Sequence, residues 1–200
     1  LNARITKKSY KKWKMISSLS KFLFGSFDIS FPQNYETKKY LNSLGVKKIK
    51  FLGNLKFSES KTQKNITLNK NIEKIFKSRK IWCAASTHEG EEKICAEAHQ
   101  KLKKKYKKLL TVIIPRHVHR VNDIYKEILD MGFKVQIHSK KSKIKKDTDI
   151  YLVDTYGETK SFFKICNTVF LGGSIVNHGG QNPLEPARFG CKILHGPNIQ

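Results

Sequence analysis

The stretch that decides the fold is Thr168–Pro186, TVFLGGSIVNHGGQNPLEP. Its first four residues, Thr168–Leu171, form an apolar run that predicts a buried strand. A turn with four glycines, Gly172–Gly180, follows, and a helix is then predicted with Asn182 as its N-cap and Pro183 as its first residue. This order favours an anionic ligand, because a helix N-terminus carries unpaired N–H groups and a partial positive charge.

The same turn and helix together favour a nucleotide or nucleotide-sugar site. Glu185 lies in the first turn of the predicted helix, where its carboxylate can accept hydrogen bonds from sugar hydroxyls. The alternative is an ordinary βα turn, in which glycine only permits the tight bend. Four glycines followed by Asn-Pro and a first-turn Glu favour the binding interpretation.

Apolar runs alternate with helical patterns through the last two thirds of the chain. The predicted strands are 81–85, 109–114, 133–137, 150–153, 168–171 and 192–194. The predicted helices are 69–76, 90–106, 122–131, 158–165 and 183–189. Strands that alternate with helices through short links predict a Rossmann-like parallel sheet with helices on both faces, which is an α/β fold.

The beginning of the chain has a different pattern of predicted helices and strands. Helices are predicted at 9–24 and 34–44, and short strands at 27–31 and 49–52. A polar stretch then separates the two patterns. We therefore predict three parts, namely the end of one domain (1–57), a linker (58–66) and a second domain (67–200).

The formal charge of +24 raises the possibility of a basic nucleic-acid-binding protein. The basic residues are 35 lysines and only five arginines, and the lysines are spread over nearly every segment. Base readout prefers Arg, Asn or Gln at defined spacing, and no such spacing is present. The positive field still favours anionic substrates and anionic lipid headgroups.

The four cysteines are far apart, and none forms a Cys-x-x-Cys pair. Buried free thiols in a reducing compartment are therefore expected, which predicts a cytoplasmic location and no structural zinc. The chain has no run of eighteen apolar residues that could span a membrane.

Polar residues gather where the predicted strands end. The turns in question are Ser86–Glu92, Pro115–His117, Asp154–Glu158 and Gly172–Pro186. In parallel sheets, ligands bind beyond the carboxyl ends of the strands, so four polar turns there predict one site. Arg116 is expected to bind a phosphate or carboxylate, because guanidinium holds both in bidentate fashion. Backbone N–H groups at Tyr156-Gly157-Glu158 can hold a phosphate, or Glu158 can simply cap its helix.

Two histidine patterns are candidate metal sites. His117 and His119 form a close pair, but no third ligand lies nearby in the sequence, so we predict no metal. The segment His88–Glu92 resembles the zinc-protease helix but has Glu92 where the second His is needed. Its carboxylates are explained by the helix macrodipole and by capping, and a substrate contact of His88 is left open.

Several of these stretches resemble the Kdo transferases, the 3-deoxy-D-manno-octulosonic acid transferases of lipopolysaccharide biosynthesis. The matching stretches, in the order of that family, are Asn2–Arg4, Gly53–Phe57, Ala84–Glu92, Pro115–His117, Gly172–Ser174 and Asn182–Pro186. They cover nearly the whole chain, and together they are specific for the family.

The resemblance implies a two-domain GT-B glycosyltransferase without a cofactor, in which 1–57 ends the acceptor-side domain and 67–200 binds the donor. The donor would be CMP-Kdo and the acceptor a lipid A precursor, at the cytoplasmic face of the bacterial inner membrane. Lys56 matches a lysine that stabilises charge in the transition state. Family contacts to CMP fall on Pro115, Arg116, Tyr156, Gly157, Glu158, Asn182, Pro183, Leu184 and Glu185.

The resemblance also implies that parts of the family's enzyme are missing from this sequence. The family places its general base and membrane anchor upstream of Leu1, and its members continue beyond Gln200. We therefore expect an incomplete, truncated donor-binding domain that cannot transfer Kdo alone. A basic nucleic-acid-binding protein and a partly folded relic remain the alternatives.

Overall fold

The computed structural model describes residues 1–55, 68, 70–139 and 144–199. The predicted linker, 58–66, and the predicted catalytic Lys56 lie outside these residues. The chain divides into two compact units, Leu1–Thr62 and Gln63–Gln200.

The described residues of the first unit, 1–55, include three α-helices. They are α1 (Lys7–Met15), α2 (Ser17–Gly25) and α3 (Tyr35–Ser43). The single helix predicted at 9–24 is interrupted at Ile16, whose φ of −112° and ψ of 56° leave the helical region. The strands predicted at 27–31 and 49–52 are wrong, because only isolated parallel bridges form there, Ala3–Pro32 and Ser30–Ile49.

Helix α3 follows its sequence signals closely. The side chain of Asn34 accepts the N–H of Thr37 at 2.8 Å and caps the helix N-terminus. Gly45 lies just beyond the C-cap with φ +101°, a conformation that glycine adopts readily. The predicted helix 34–44 is therefore confirmed.

The second unit is an α/β domain, as predicted. Its strands are β1 (Lys80–Thr87), β2 (Leu109–Pro115), β3 (Val135–Ile137), β4 (Ile150–Leu152), β5 (Thr168–Leu171) and β6 (Lys192–Leu194). Its helices are α4 (Lys70–Lys77), α5 (Glu91–Lys105), α6 (Val121–Asp130), α7 (Thr159–Phe163) and α8 (Leu184–Arg188). The six strands form one sheet in the order β3-β4-β2-β1-β5-β6, and all five pairings are parallel.

Helices cover both faces of this sheet and create two hydrophobic clusters. On one face Phe76 of α4 and Phe162 of α7 pack with Tyr151 of β4. On the other face Ala96 of α5 and Ile124 of α6 belong to the second cluster. Strand β2 is buried at every position, as expected for a central strand of a parallel sheet that is covered on both faces.

The four cysteines are free thiols. Cys83, Cys95 and Cys166 are buried, which agrees with the expectation from the sequence. Cys191 is only half-buried, and burial raises its pKa to about 11. All four therefore belong to the packing of the domain rather than to a reactive site.

Candidate functional site

The candidate site is the edge of the sheet where all six strands end. Because the strands are parallel, their carboxyl ends lie at one edge. Pro115 ends β2 and Arg116 follows it, while Tyr156–Glu158 follows β4 and Asn182–Glu185 follows β5. The parallel sheet therefore brings the three turns predicted to bind CMP to the same edge.

Arg116 has an exposed side chain at the end of β2. Its backbone N–H donates to the carbonyl of Thr87 at 2.9 Å, which fixes the turn against the end of β1. Within the described parts of the chain, no hydrogen bond or ion pair joins its guanidinium to Glu158 or Glu185. The guanidinium is thus held at the edge by its backbone and faces solvent.

The turn after β4 is shaped by Glu158. Its carboxylate lies 2.9 Å from Nε2 of His138 and also accepts the hydroxyl of Thr155. Gly157 has φ +82° in this turn, and the side chain of Tyr156 is exposed beside it. Glu158 thus has structural partners of its own, and although it is the N-cap residue of α7, its side chain makes no capping hydrogen bond to the described residues of that helix.

The turn after β5 leads into α8. The helix begins at Leu184 with Pro183 as N-cap, so the prediction that Pro183 is the first helical residue and Asn182 the N-cap is wrong by one position. The side chain of Asn182 nevertheless accepts the N–H of Leu184 at 3.1 Å. Pro183 has a helical conformation, with φ −78° and ψ −11°, and its carbonyl accepts the N–H of Ala187 at 3.1 Å, so the predicted and observed helices differ only in which of two adjacent residues is counted as the first.

An ion pair links the turns after β4 and β5. The ammonium group of Lys160, in α7, lies 3.2 Å from the carboxylate of Glu185 in α8. Since Lys160 is two residues after Glu158, the two predicted ligand-binding turns are close in space. Both partners are about 40% exposed (43% and 41%), so an incoming ligand can replace this pair at little cost.

Three successive N–H groups of the glycine-rich turn bind a side chain of the protein. The buried carboxylate of Glu91 accepts the N–H of Gly173 at 2.7 Å, of Ser174 at 3.1 Å and of Ile175 at 3.0 Å. It also accepts the N–H of His88 at 2.9 Å. The anion that this part of the loop binds is therefore a side chain of the protein itself.

Glu92, the neighbour of Glu91, is a second buried carboxylate. It receives two hydrogen bonds from Arg120, at 3.0 and 3.3 Å, and one from the hydroxyl of Thr87 at 2.9 Å. The capping expected of the carboxylates in His88–Glu92 does not occur, because the N-cap of α5 is Gly90 and among the described residues no side chain makes a capping hydrogen bond there. Both carboxylates therefore bind other groups of the protein and stabilise the loops at this edge of the sheet.

Histidines from three turns meet at this edge, which the sequence did not predict. The rings of His88 and His178 stack, with centroids 4.2 Å apart and an interplanar angle of 22°. The ring of His117 lies edge-on to His88 at 5.9 Å, and His119 is 5.6 Å from His117. Burial and the nearby His178 lower the pKa of His88. Among the described residues, no group of three or more His, Cys, Asp or Glu is arranged to hold a metal ion.

A cavity of about 410 Å³ lies beside the glycine-rich turn. Its lining includes Gly180, Pro183, His195 and Ile199. The cavity thus lies at the carboxyl ends of β5 and β6, next to the segment Asn182–Glu185.

Two further predictions concern Lys56 and membrane-spanning helices, and they are compared here with the described residues. Lys56, the predicted catalytic lysine, lies outside them. Among the helices that the structure describes, none combines the length and apolar character needed to span a bilayer.

The chain is similar to several known proteins. The family described as 3-Deoxy-D-manno-octulosonic-acid transferase (kdotransferase) matches residues 1–59. The 3-deoxy-D-manno-octulosonic acid transferase of Haemophilus influenzae is 30% identical over 98% of this chain and 46% of its own length. That of Rickettsia bellii is 30% identical over 100% of this chain and 47% of its own length. The chain thus spans about half the length of the curated relatives it matches.

A solved structure matches the fold. It is the crystal structure of the C-terminal CMP-Kdo binding domain of WaaA from Acinetobacter baumannii, with a TM-score of 0.58 and 28% sequence identity. The match covers 62% of this chain and 64% of that domain. It confirms the predicted Rossmann-like α/β fold of the GT-B glycosyltransferases. The chain is therefore a homologue of the 3-deoxy-D-manno-octulosonic acid transferases that corresponds to about half of their length.

Proposed function

We propose that this chain is the donor-binding part of a Kdo transferase, which moves Kdo from CMP-Kdo to a lipid A precursor in lipopolysaccharide biosynthesis. Residues 67–200 form the domain that holds the donor, and 1–57 end the acceptor-side domain, with 58–66 as the linker. The observation that carries the proposal is the common edge shared by the turns after β2, β4 and β5.

The proposed contacts follow from the chemistry of these turns. Arg116, which follows Pro115, has an exposed guanidinium that suits the phosphate of CMP. The carboxylate of Glu185 accepts hydrogen bonds from the ribose hydroxyls, and Lys160 moves aside to permit this. Leu184 and Asn182 complete the turn that presents Glu185.

The turn Tyr156-Gly157-Glu158 supplies the third contact with the nucleotide. The ring of Tyr156 is 74% exposed, so it can lie against a nucleobase or sugar. Gly157 allows the backbone to approach closely because it has no side chain. Glu158 fixes the shape of this turn through His138 and Thr155.

The reaction is a direct displacement with inversion at the anomeric carbon of Kdo. An acceptor hydroxyl loses its proton to a carboxylate base, and its oxygen forms the new bond to the anomeric carbon. The bond from that carbon to the phosphate oxygen breaks, and CMP leaves with the electron pair. Lys56 is proposed to stabilise the negative charge that develops on the phosphate.

The acceptor is expected at a membrane surface. The net charge of +24 attracts anionic headgroups and a phosphorylated lipid acceptor. We therefore place the enzyme at the cytoplasmic face of a bacterial inner membrane.

Titration of the chain with CMP, followed by calorimetry, tests the donor-binding proposal. Arg116→Ala and Glu185→Ala are each expected to weaken binding roughly tenfold or more, because a hydrogen bond to a charged group contributes about 1.5–3 kcal/mol. Lys126→Ala and Glu127→Ala remove the same kinds of charge from the exposed side of α6 and are expected to leave CMP binding unchanged. Equal losses in all four variants, or no binding by the wild-type chain, would contradict the proposal.

The alternative function, nucleic-acid binding, rests on the same positive charge. The salt dependence of binding distinguishes it from donor binding. A nucleic-acid-binding protein would bind duplex DNA with a steep salt dependence that Glu185→Ala leaves unchanged. Selective binding of CMP, lost in Glu185→Ala, argues for the donor site.

A further inference from the structure

One face of the parallel sheet is uncovered over its last strand. Phe170 of β5 and Leu194 of β6 are paired in register and lie on the same face as α5. The end of α8 packs on the opposite face, where Phe189 and Ile193 join the other hydrophobic cluster. Leu194 remains 52% exposed, so no helix in the described part of the second unit covers β6 on the side of α5. Parallel sheets are normally covered on both faces, and a further element of structure therefore fits here.

A groove runs along this uncovered face, between α5 on one side and β5 and β6 on the other, and its cavity volume is about 330 Å³. We call it the α5–β6 groove. Its wall on α5 is formed by Ile94, Ala98 and Leu102, which are four residues apart and so lie in one row on the helix. Trp82 and Phe170 form part of its floor. Ile94 and Leu102 are 41% and 39% exposed, so the row presents an apolar surface to solvent.

The shape of the groove suits an α-helix. The residues of α5 that line it, from Ile94 to Tyr106, cover about 18 Å at the helical rise of about 1.5 Å per residue, which matches a helix of about twelve residues. An extended strand does not suit this position, because the face of a sheet offers no backbone groups to pair with its N–H and C=O groups. A helix pairs these groups within itself and needs only apolar side chains toward the groove. Helices α5 and α6 cover the neighbouring strands of this face in the same way.

The charges at the rim of the groove indicate what the flanks of this helix carry. The ammonium groups of Lys80 and Lys105 lie over the ring of Tyr106 at one end, 5.8 and 5.6 Å from its centroid. By the alternation of side chains along a strand, Lys192 of β6 points to the same face. Glu97, exposed on α5, opposes this positive charge in part. The rim therefore favours acidic side chains on the bound helix and disfavours a second copy of this chain, whose formal net charge is +24.

The sequence outside the described residues does not supply an acidic helix. Its two longer stretches, 56–67 and 140–143, contain six lysines and one glutamate. The Kdo transferase of Haemophilus influenzae, in contrast, has more than half of its length outside the match, since this chain covers 46% of it. The match to the solved Acinetobacter baumannii domain covers 64% of that domain, which leaves 36% of it unmatched. Polypeptide of this family outside the matched part is therefore the source that remains for the helix.

We propose that the α5–β6 groove binds an acidic amphipathic α-helix of about twelve residues from a part of a Kdo transferase that this sequence does not contain. The apolar stripe of the helix packs against Ile94, Leu102 and Leu194, and acidic side chains on its flanks pair with Lys80 and Lys105. The helix completes the layer over β5 and β6 and removes these apolar side chains from water. The inference goes beyond the proposed function, because it concerns a face of the sheet rather than the edge where CMP is proposed to bind.

Peptide binding tests the inference. Two helical probe peptides of about fourteen residues share one leucine stripe, and their flanking positions carry glutamate in the first and lysine in the second. The chain has two tryptophans, so in Trp13→Phe the fluorescence reports on Trp82 in the groove. The glutamate peptide is expected to shift this emission and to bind at least about tenfold more tightly than the lysine peptide. A third peptide, with the composition of the first but with scattered leucines, should bind at least about tenfold more weakly than the first.

Variants of exposed residues locate the site of binding. Ile94→Asp and Leu102→Asp place a charge in the groove, and each should weaken binding of the glutamate peptide roughly tenfold or more. Leu129→Asp is the matched control, because Leu129 is a 46% exposed leucine of α6 outside the groove, and it should bind the peptide normally. The double variant Lys80→Glu with Lys105→Glu reverses the charge of the rim and should therefore prefer the lysine peptide.

Several outcomes would overturn the inference. They are equal binding of all three peptides, an equal loss in Leu129→Asp, and an unchanged preference when the charge of the rim is reversed. A concentration-dependent dimer that Leu102→Asp dissociates would assign the groove to a second copy of this chain instead. CMP titrations of the same variants keep the two proposals apart, because failed peptide binding with normal CMP binding overturns this inference alone.

Discussion

The carboxylate of Glu91 accepts the backbone N–H of Gly173 at 2.7 Å, although 82 residues separate the two positions in the sequence. Glu91 lies in the first turn of α5, after β1, and Gly173 follows β5. The contact therefore fastens two neighbouring strand ends together at the edge where the ligand is proposed to bind.

Glu91→Gln is expected to destabilise the domain by about 2–4 kcal/mol, because it places an amide N–H₂ group against backbone N–H donors and removes a buried charge that has partners. Urea unfolding measures the change. Glu89→Gln is the control, because Glu89 is exposed two residues away and should change stability by less than about 0.5 kcal/mol. A Glu91→Gln protein as stable as the control would show that the carboxylate does not hold the loop.

Gly172→Ala is expected to be among the most damaging single changes in the domain. A Cβ at this position would lie 2.2 Å from the carbonyl oxygen of Ser86, which belongs to the backbone of β1 and cannot rotate away. We expect a loss of about 3 kcal/mol or more, measured by thermal or urea unfolding. Gly132→Ala is the comparison, because Gly132 has φ +85° but open space around it, so only the backbone conformation costs about 1 kcal/mol. Equal effects of the two changes would contradict the close approach at Gly172.

The buried ion pair of Glu92 with Arg120 is expected to show energetic coupling, so that the effects of changing the two residues are not additive. Arg120→Met leaves a fully buried carboxylate whose remaining hydrogen-bond partner in the described parts of the chain is the hydroxyl of Thr87, and should cost about 3–5 kcal/mol. The double variant with Glu92→Gln should recover part of this loss, which a double-mutant cycle measures. The surface pair of Lys77 with Glu73 is the reference, and Lys77→Met should cost less than about 0.5 kcal/mol. Strictly additive effects at Glu92 and Arg120 would refute their coupling.

Stability is expected to fall as the pH decreases from about 7 to 5, through the usual pKa of histidine near 6.5. Burial lowers the pKa of His99, whose Nδ1 lies 2.8 Å from the hydroxyl of Thr111. Because the pKa is lower in the folded state, the unfolded chain takes up the proton first, and the stabilisation present above pH 6.5 is lost on acidification. Urea unfolding at several pH values measures this slope, and His99→Gln should reduce it. A slope that is the same in both proteins would assign it to other groups.

Asp149 is expected to make the free energy of unfolding decrease further at more acidic pH. Burial opposes its ionisation, but hydrogen bonds from Lys103 and from the N–H of Lys134 outweigh burial and lower its pKa. A carboxylate with a lowered pKa stabilises the fold above its unfolded value of about 3.9, and this contribution is lost as the pH falls through the folded value. Asp149→Asn should therefore flatten the pH dependence of unfolding below about pH 4.

The parallel sheet could be predicted from the sequence because its strands are short apolar runs with clear ends. Thr168–Leu171 is bounded by Asn167 and Gly172, and the predicted and observed limits of β5 agree. The break of the first helix at Ile16 could not be predicted, because no Gly or Pro marks it. The predicted strands at 27–31 and 49–52 are wrong because an apolar run indicates burial but does not specify a pairing partner.

The candidate site could be predicted in part. Its location follows from the parallel order of the strands, since polar turns after such strands must share an edge. The roles of Glu91 and His88 could not be predicted, because their partners at Gly173 and His178 are more than 80 residues away in the sequence. The glycines of the loop indicate close backbone approach, but the sequence does not say which carboxylate occupies it.

The contact of Glu91 with Gly173 has a consequence for how a ligand binds. A glycine-rich segment normally loses much conformational entropy when it becomes ordered. Here that loss belongs to the folding of the chain, since an internal carboxylate already holds three successive amides. The glycine-rich turn therefore already has its final conformation before a nucleotide binds at this edge. Little of the binding free energy of the nucleotide is needed to order this turn.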